Sequence, residues 1–386
     1  MQAGTGPLEA LREELHEDSQ VGGVLKLAQG FGAAGADELR VSIKSKSLIL
    51  ECRLAADSPL SRVGPLLEAL ADPLGQPRGP VRELATGFVL LAGDERVESL
   101  DWELTGPDLC QRLVFETGRA QLAPDAAGSK RTSDMRSRLT VNMKRYKLSV
   151  DTFLLYSGYE LKERCRHGGW SRLAVDNQTV PPYWVDAAKV ETDHWSRTLS
   201  QPFALLERYV VADQGLSMAV ELGDFAAHGP GLYFWQPGGL RALFSRRQGG
   251  IAFVREFVDA GGQPVEAPRG PFAAAAAFAA GLSRRAGLRF VDSGVVGEEH
   301  PVDLVPGFRG LLPRADCQPC PSGLRVIEDE TFARRLDWCR SQVGAAYSTL
   351  TQYKDFYRPV QNGRPTEAMV GELRRRLAET YPLSWD

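Results

Sequence analysis

VLKLAQGFGAAGADELRVSIKSKSLILEC, residues 24–52, carries two different periods in one run. From Val24 to Ala36 the apolar residues fall at Val24, Leu25, Leu27, Ala28, Phe31 and Ala34, close to the 3.6-residue spacing of a helix. Gly35 stands where a helix C-cap belongs, because glycine takes the left-handed conformation that ends a helix without steric cost. Leu39, Val41 and Ile43 then alternate with Arg40, Ser42 and Lys44, and Leu48, Ile49 and Leu50 follow a polar turn at Ser45–Ser47. That is the pattern of two strands joined by a tight turn. The order is helix, glycine, strand, turn, strand.

Outward from this stretch, 386 residues allow two or three domains. Acids and bases nearly balance at a net charge of −3, which gives no global attraction for nucleic acid or an anionic membrane. The opening residues, MQAGTGPLEALREELHEDS, are too polar and acidic for a signal or transit peptide, and no apolar run approaches the roughly 20 residues that span a bilayer. A cytoplasmic protein is the expectation. No nucleophile elbow, zinc-protease helix, phosphate loop or dinucleotide fingerprint occurs, and Gly30-Phe31-Gly32 lies inside the predicted helix with no third glycine in place.

Residues 5–19 read as an acidic helix with Leu8, Leu11 and Leu15 on one stripe. Helices are expected over 63–70 and 83–91, around a Pro/Gly loop at 72–80, and strands over 96–104 and 111–118. The first domain is expected to close near Pro124, ahead of a polar linker at 125–138 whose Lys130, Arg131, Arg136 and Arg138 lack the interleaved aromatics of a base-stacking surface. A strand from Leu139, a helix over 150–166, a strand over 170–174 and a hairpin at Asp176-Asn177-Gln178 come next. Further strands are expected over 203–211, 216–222, 232–235 and 251–258, the first two as a hairpin. The alanine-rich run 271–286 is expected to be helical, 288–296 and 324–327 to be strands, and 328–350 and 367–380 to be amphipathic helices before an aromatic tail.

Six cysteines in a chain without an export signal read as reduced thiols. Cys317 and Cys320 alone have metal or redox spacing, and a zinc site would need His300 and Cys339 as well. Pro319, Pro321 and Gly323 make this stretch a plain loop in the preferred reading. His167 and His194 are isolated, and a lone histidine without a partner is a structural residue before it is a general base.

The run 24–52 resembles the opening of the Bergerat-type ATP-binding domain shared by gyrase B, the heat-shock chaperone HtpG, sensor histidine kinases and MutL. Residues 82–97, RELATGFVLLAGDERV, resemble that family's glycine-rich lid and following helix, with Gly87 the one glycine kept. The resemblance places Lys26 at the family's water-activating glutamate and Gly30 at its magnesium-holding asparagine. It also places Ala33 at an acidic position and Cys52 at the aspartate that reads adenine. Residues 139–260, with Glu163-Arg164-Cys165-Arg166 and Asp176-Asn177-Gln178, resemble the second domain of bacterial HtpG-like proteins. There an arginine reaches the ATP γ-phosphate; Arg164, Arg166 and Arg172 are available and none is assigned.

The fold class expected is therefore α+β: a degenerate ATPase-like α/β sandwich over 1–124, a chaperone-middle-domain-like domain over 139–260, and a C-terminal α+β region over 261–386 ending in helices. The resemblance with its chemistry removed implies no catalytic residue and no cofactor. It implies a pseudo-ATPase that binds a protein partner as a scaffold subunit, without nucleic acid or membrane, with self-association as one form of that binding. A divergent ATP-dependent chaperone and an enzyme with an unrecognised site are the alternatives.

Overall fold

The computed structural model describes residues 21–116, 119–123, 133–144, 149–166, 170, 172–180, 204–211, 231–235, 241–245, 252–259, 261, 263, 272–280, 286–304, 309–314 and 316–352. The expected helices over 5–19 and 367–380, the aromatic tail, Lys130, Arg131, His167, His194 and the strand over 216–222 lie outside them. The chain divides into two compact units. The first comprises residues 1–181 together with two short returning segments, 292–297 and 319–324, and the second comprises 182–291, 298–318 and 325–386.

In the first unit the opening stretch folds as its two periods demand. Helix α1 (Gly22–Ala33) leads into strands β1 (Glu38–Lys44) and β2 (Ser47–Leu54), paired antiparallel with Lys44 opposite Ser47. Gly35 closes α1 at φ +75°: its N–H donates to the Gly32 carbonyl and that of Ala36 to Phe31, the doubly bonded Schellman end. Next come α2 (Gly64–Ala69) and α3 (Pro80–Ala92), then β3 (Val97–Thr105), β4 (Cys110–Glu116) and β5 (Arg119–Ala123). After them come β6 (Met135–Met143), α4 (Ser149–Cys165), β7 (Arg172–Val175) and β8 (Gln178–Val180). The β7–β8 turn holds Asp176 and Asn177 at φ 49° and 64°, the left-handed pair that a two-residue hairpin of this twist requires.

These strands form one eight-stranded sheet in the order β5-β4-β3-β6-β2-β1-β7-β8. The expected break near Pro124 therefore does not bound the sheet. Strand β6 lies between β2 and β3, and β7 runs parallel to β1, so residues 135–180 complete the first sheet. Period-two alternation sends Leu39, Val41, Leu48, Leu50, Leu100, Trp102, Leu139 and Val141 to one face, all buried beneath the helices. Helix α3 packs against β3 and β4, α4 against β1 and β7, and α1 against both helices. The opposite face is a lattice of charges. In register across five strands run Arg40, Glu51, Arg138, Glu103 and Arg112, each opposite a neighbour of the other sign.

A second sheet has nine strands. Its strands are β9 (Ala204–Val211), β10 (Gly231–Trp235), β11 (Arg241–Ser245), β12 (Ala252–Val258) and β13 (Phe272–Ala280), with β14 (Ala286–Asp292), β15 (Val295–Val296), β16 (His300–Val302) and β17 (Arg309–Pro313). The order is β10-β11-β12-β9-β13-β17-β14-β15, with β16 on β14. Helix α5 (Glu330–Gln352) follows, capped by the Asp329 carboxylate, which accepts from the Phe332 N–H at 3.0 Å. The alanine-rich run is a correction: FAAAAAFAA is strand β13, not a helix. It is hydrogen-bonded to β9 on one side and β17 on the other, and ladder bonds on both edges outweigh alanine's helix preference. Residues 324–327, expected as a strand, pass through the fold as an irregular segment with a single bridge at Val326.

Candidate functional site

Helix α1 carries one charge in twelve residues, Lys26, and it is 1% exposed. A buried ammonium needs an anion, since removing both charges from water costs several kcal/mol per ion unless they meet. Glu83, from the first turn of α3, supplies it as an ion pair, its side chain 8% exposed. Lys26 Nζ also donates to Gln29 Oε1 at 2.6 Å, and Gln29 Nε2 donates to Asp292 Oδ2 at 2.8 Å. Ser293 Oγ donates to the other carboxylate oxygen at 3.1 Å. A polar chain thus runs from α3 across α1 to the returning segment 292–297.

Two segments cover this face of α1. Segment 292–297 lies against Gly32, where a Cβ would overlap the Ser293 carbonyl oxygen and meet its carbon at 2.8 Å. It is tied to α4 by Arg164, whose Nε donates to the Val296 carbonyl at 2.7 Å, and Trp170 packs on Gly294. Segment 319–324 crosses at Lys26: Gly323 sits so close that a Cβ there would lie 2.9 Å from Nζ. Arg78 Nη2 clips this strap by donating to the carbonyls of Pro319 at 3.1 Å and Cys320 at 3.2 Å, and Ser322 and Leu324 are buried in it. Every residue of α1 from Gly22 to Phe31 is buried.

The five positions singled out in the sequence do not line one cavity. Lys26 faces α3 and the strap. Gly30 and Gly87 serve the contact between α1 and α3: a Cβ at Gly30 would sit 2.9 Å from the Leu84 nitrogen, and one at Gly87 2.7 Å from Leu27 Cδ2. Cys52 is buried on the apolar face of β2, and Ala33 ends α1, half-buried. Of the three candidate arginines, Arg164 is buried and paired with Glu160 at 3.7 Å, Arg166 is paired with Glu163 at 3.3 Å, and Arg172 is exposed on β7.

The zinc candidates are not gathered either. His300 uses both ring nitrogens on Glu328 and the Val326 N–H. Among the described residues no group of three or more His, Cys, Asp or Glu side chains is placed to hold a metal ion. Burial pushes the Cys165 and Cys339 thiols up to about 12, and it pushes Cys52 and Cys317 up as well. An unfolded thiol ionises near 8.5, so between there and 12 the folded state binds the extra proton and stability falls as pH rises. Below about pH 8.5 the contribution is fully present. The Cys165 and Cys339 thiols are each expected to remove about 2 kcal/mol between pH 8 and pH 10, and urea titrations of the wild type and Cys165→Ala, with the smaller pH loss in the variant, check it.

Sequence reasoning missed Glu83, Asp292 and the strap. The available signal was Lys26 itself, a lone charge on an apolar helix with no acid three or four residues away. It also missed the groove of about 420 Å³ on the open sheet face, lined by Arg40, Glu51, Arg53, Glu103, Arg136 and Arg138 among others. Its guanidiniums are largely matched: Arg53 pairs with Asp37, whose carboxyl is held below its usual range, and Arg138 with Glu51 at 3.5 Å.

No family model and no curated protein matches the chain. Among solved structures it is similar to the B-subunit of the DNA gyrase from Myxococcus xanthus at 13% identity, over 79% of this chain and 82% of that one, with a TM-score of 0.37. A likeness that slight carries neither fold nor function to this protein. No helix among the described residues is long and apolar enough to cross a membrane.

Proposed function

We propose that this protein is a non-catalytic relative of the Bergerat-type ATPases, a pseudo-ATPase that works by binding another protein. The observation that carries the reading is the covered face of α1. In the resembled family that helix presents a glutamate and an asparagine to ATP and magnesium; here those positions are Lys26, locked onto Glu83, and Gly30, spent on a helix contact. A cation at the place of the water-activating base cannot take a proton from water, and the returning segments lie where access to the helix would be needed. The order helix, hairpin, helix over a broad mixed sheet supports the family reading. The alternating charges of the open sheet face suit a protein surface better than a polyanion, whose binding wants a run of like charge.

Calorimetry with Mg–ATP tests it. No stoichiometric heat is expected at nucleotide concentrations up to hundreds of micromolar, and micromolar binding would overturn the pseudo-ATPase reading. Light scattering on the same sample reads the self-association form of the binding role as a mass above 42.3 kDa.

A further inference from the structure

We propose that His300 is a proton-operated latch on the segment that leads from the strap into α5. The imidazole, its side chain 3% exposed, lies between Phe290 of β14, at 5.9 Å and edge-on, and Phe332 of α5, at 5.3 Å. Its Nδ1 is 3.0 Å from Glu328 Oε1, and its Nε2 accepts from the Val326 N–H at 3.3 Å.

These two partners fix the protonation state. An ionised carboxylate only accepts, so Nδ1 carries the hydrogen; a backbone N–H only donates, so Nε2 is bare. The ring is therefore neutral and in the Nδ1–H tautomer. Adding a proton places a second N–H on Nε2, pointing at the N–H of Val326. Donor then faces donor, and the amide of a residue that is 3% exposed loses its acceptor.

The charges around the ring decide how sharply this acts. From β14 the ring meets Phe290, while Arg289 lies on the other side of that strand and pairs with Glu299 at 3.3 Å. From α5 it meets Phe332, and from the incoming segment Glu328, whose side chain is 60% exposed. Glu328 meets the ring from the solvent side, whereas the Val326 amide meets it from inside the fold. Imidazole is the side chain whose charge changes between pH 5 and 8. The held segment is short: Val326 comes two residues after Leu324 and three before Asp329, the cap of α5. Protonation thus loosens the stretch between the strap and α5, whatever the protein's partner.

The test reads the ring and the amide separately. Nitrogen-detected NMR of the full chain at pH 7.5 is expected to show the Nδ1–H tautomer of His300; the Nε2–H form would overturn the proposal. Hydrogen exchange, corrected for intrinsic rates, is expected to show the Val326 amide losing protection on the order of tenfold between pH 7.5 and 5.5. In His300→Gln the amide reaches the Nε2 position and its oxygen accepts from Val326 without a titrating charge, so that loss is expected to vanish. Glu328→Gln keeps the loss. Unchanged protection in the wild type, or an equal loss in His300→Gln, overturns the latch; should the glutamine variant fail to fold, the tautomer and the wild-type exchange profile decide.

Discussion

Lys26→Met is expected to cost the protein about 3–5 kcal/mol, a large share of a domain's stability, because it takes the ion-pair partner from the buried Glu83 carboxylate. The methionine fills nearly the same volume, so packing contributes little to the loss. The double variant Lys26→Met/Glu83→Leu removes both charges and is expected to recover most of it, since an apolar pair of similar volume is commonly neutral or better than a buried ion pair. Lys26→Glu sets two carboxylates side by side. It is expected to destabilise at least as much as Lys26→Met and to gain no ATPase activity. Urea unfolding with an unchanged m-value measures the series. A Lys26→Met loss under about 1 kcal/mol would mean that water reaches Glu83 and that the face of α1 is open.

The parts of the fold that were legible in the sequence are the ones that local chemistry writes. The 3.6-residue spacing of Val24, Leu27, Ala28 and Phe31, the glycine at 35 and the alternation from Leu39 onward define α1, its cap and the hairpin within thirty residues. The hairpin at Asp176-Asn177 was readable for the same reason. What escaped depends on partners far along the chain. Insertion of β6 between β2 and β3 is a choice among strands with equally good patterns. Strand β13 is made by β9 and β17 pairing with it, against alanine's own preference. The site divides the same way. That Lys26 is a lone charge on an apolar helix was visible in the sequence; that Asp292, 263 residues from Gln29, comes back to cover it was not.

Gly32→Ala tests that cover directly, and it is expected to cost about 3 kcal/mol, at the upper end of what overpacking does. The new methyl group would overlap the Ser293 carbonyl, and both sides of the contact are backbone, so no side chain is able to rotate away. Segment 292–297 has to withdraw. That draws Asp292 off Gln29 and Gly294 off the Trp170 ring, so the loss is shared by several contacts rather than confined to one. Gly64→Ala is the matched control: nothing lies within 4 Å of a Cβ there and the residue begins α2, so it is expected to be neutral or to stabilise by up to about 1 kcal/mol through the unfolded chain. Hydrogen exchange separates a local from a global effect. Faster exchange at 293–297 and at the end of α1 in Gly32→Ala, with Gly64→Ala unchanged, is the expected pattern. Wild-type stability and exchange in Gly32→Ala would mean that segment 292–297 does not rest on α1, and the sealed-helix argument for a non-catalytic protein would lose one of its two covers.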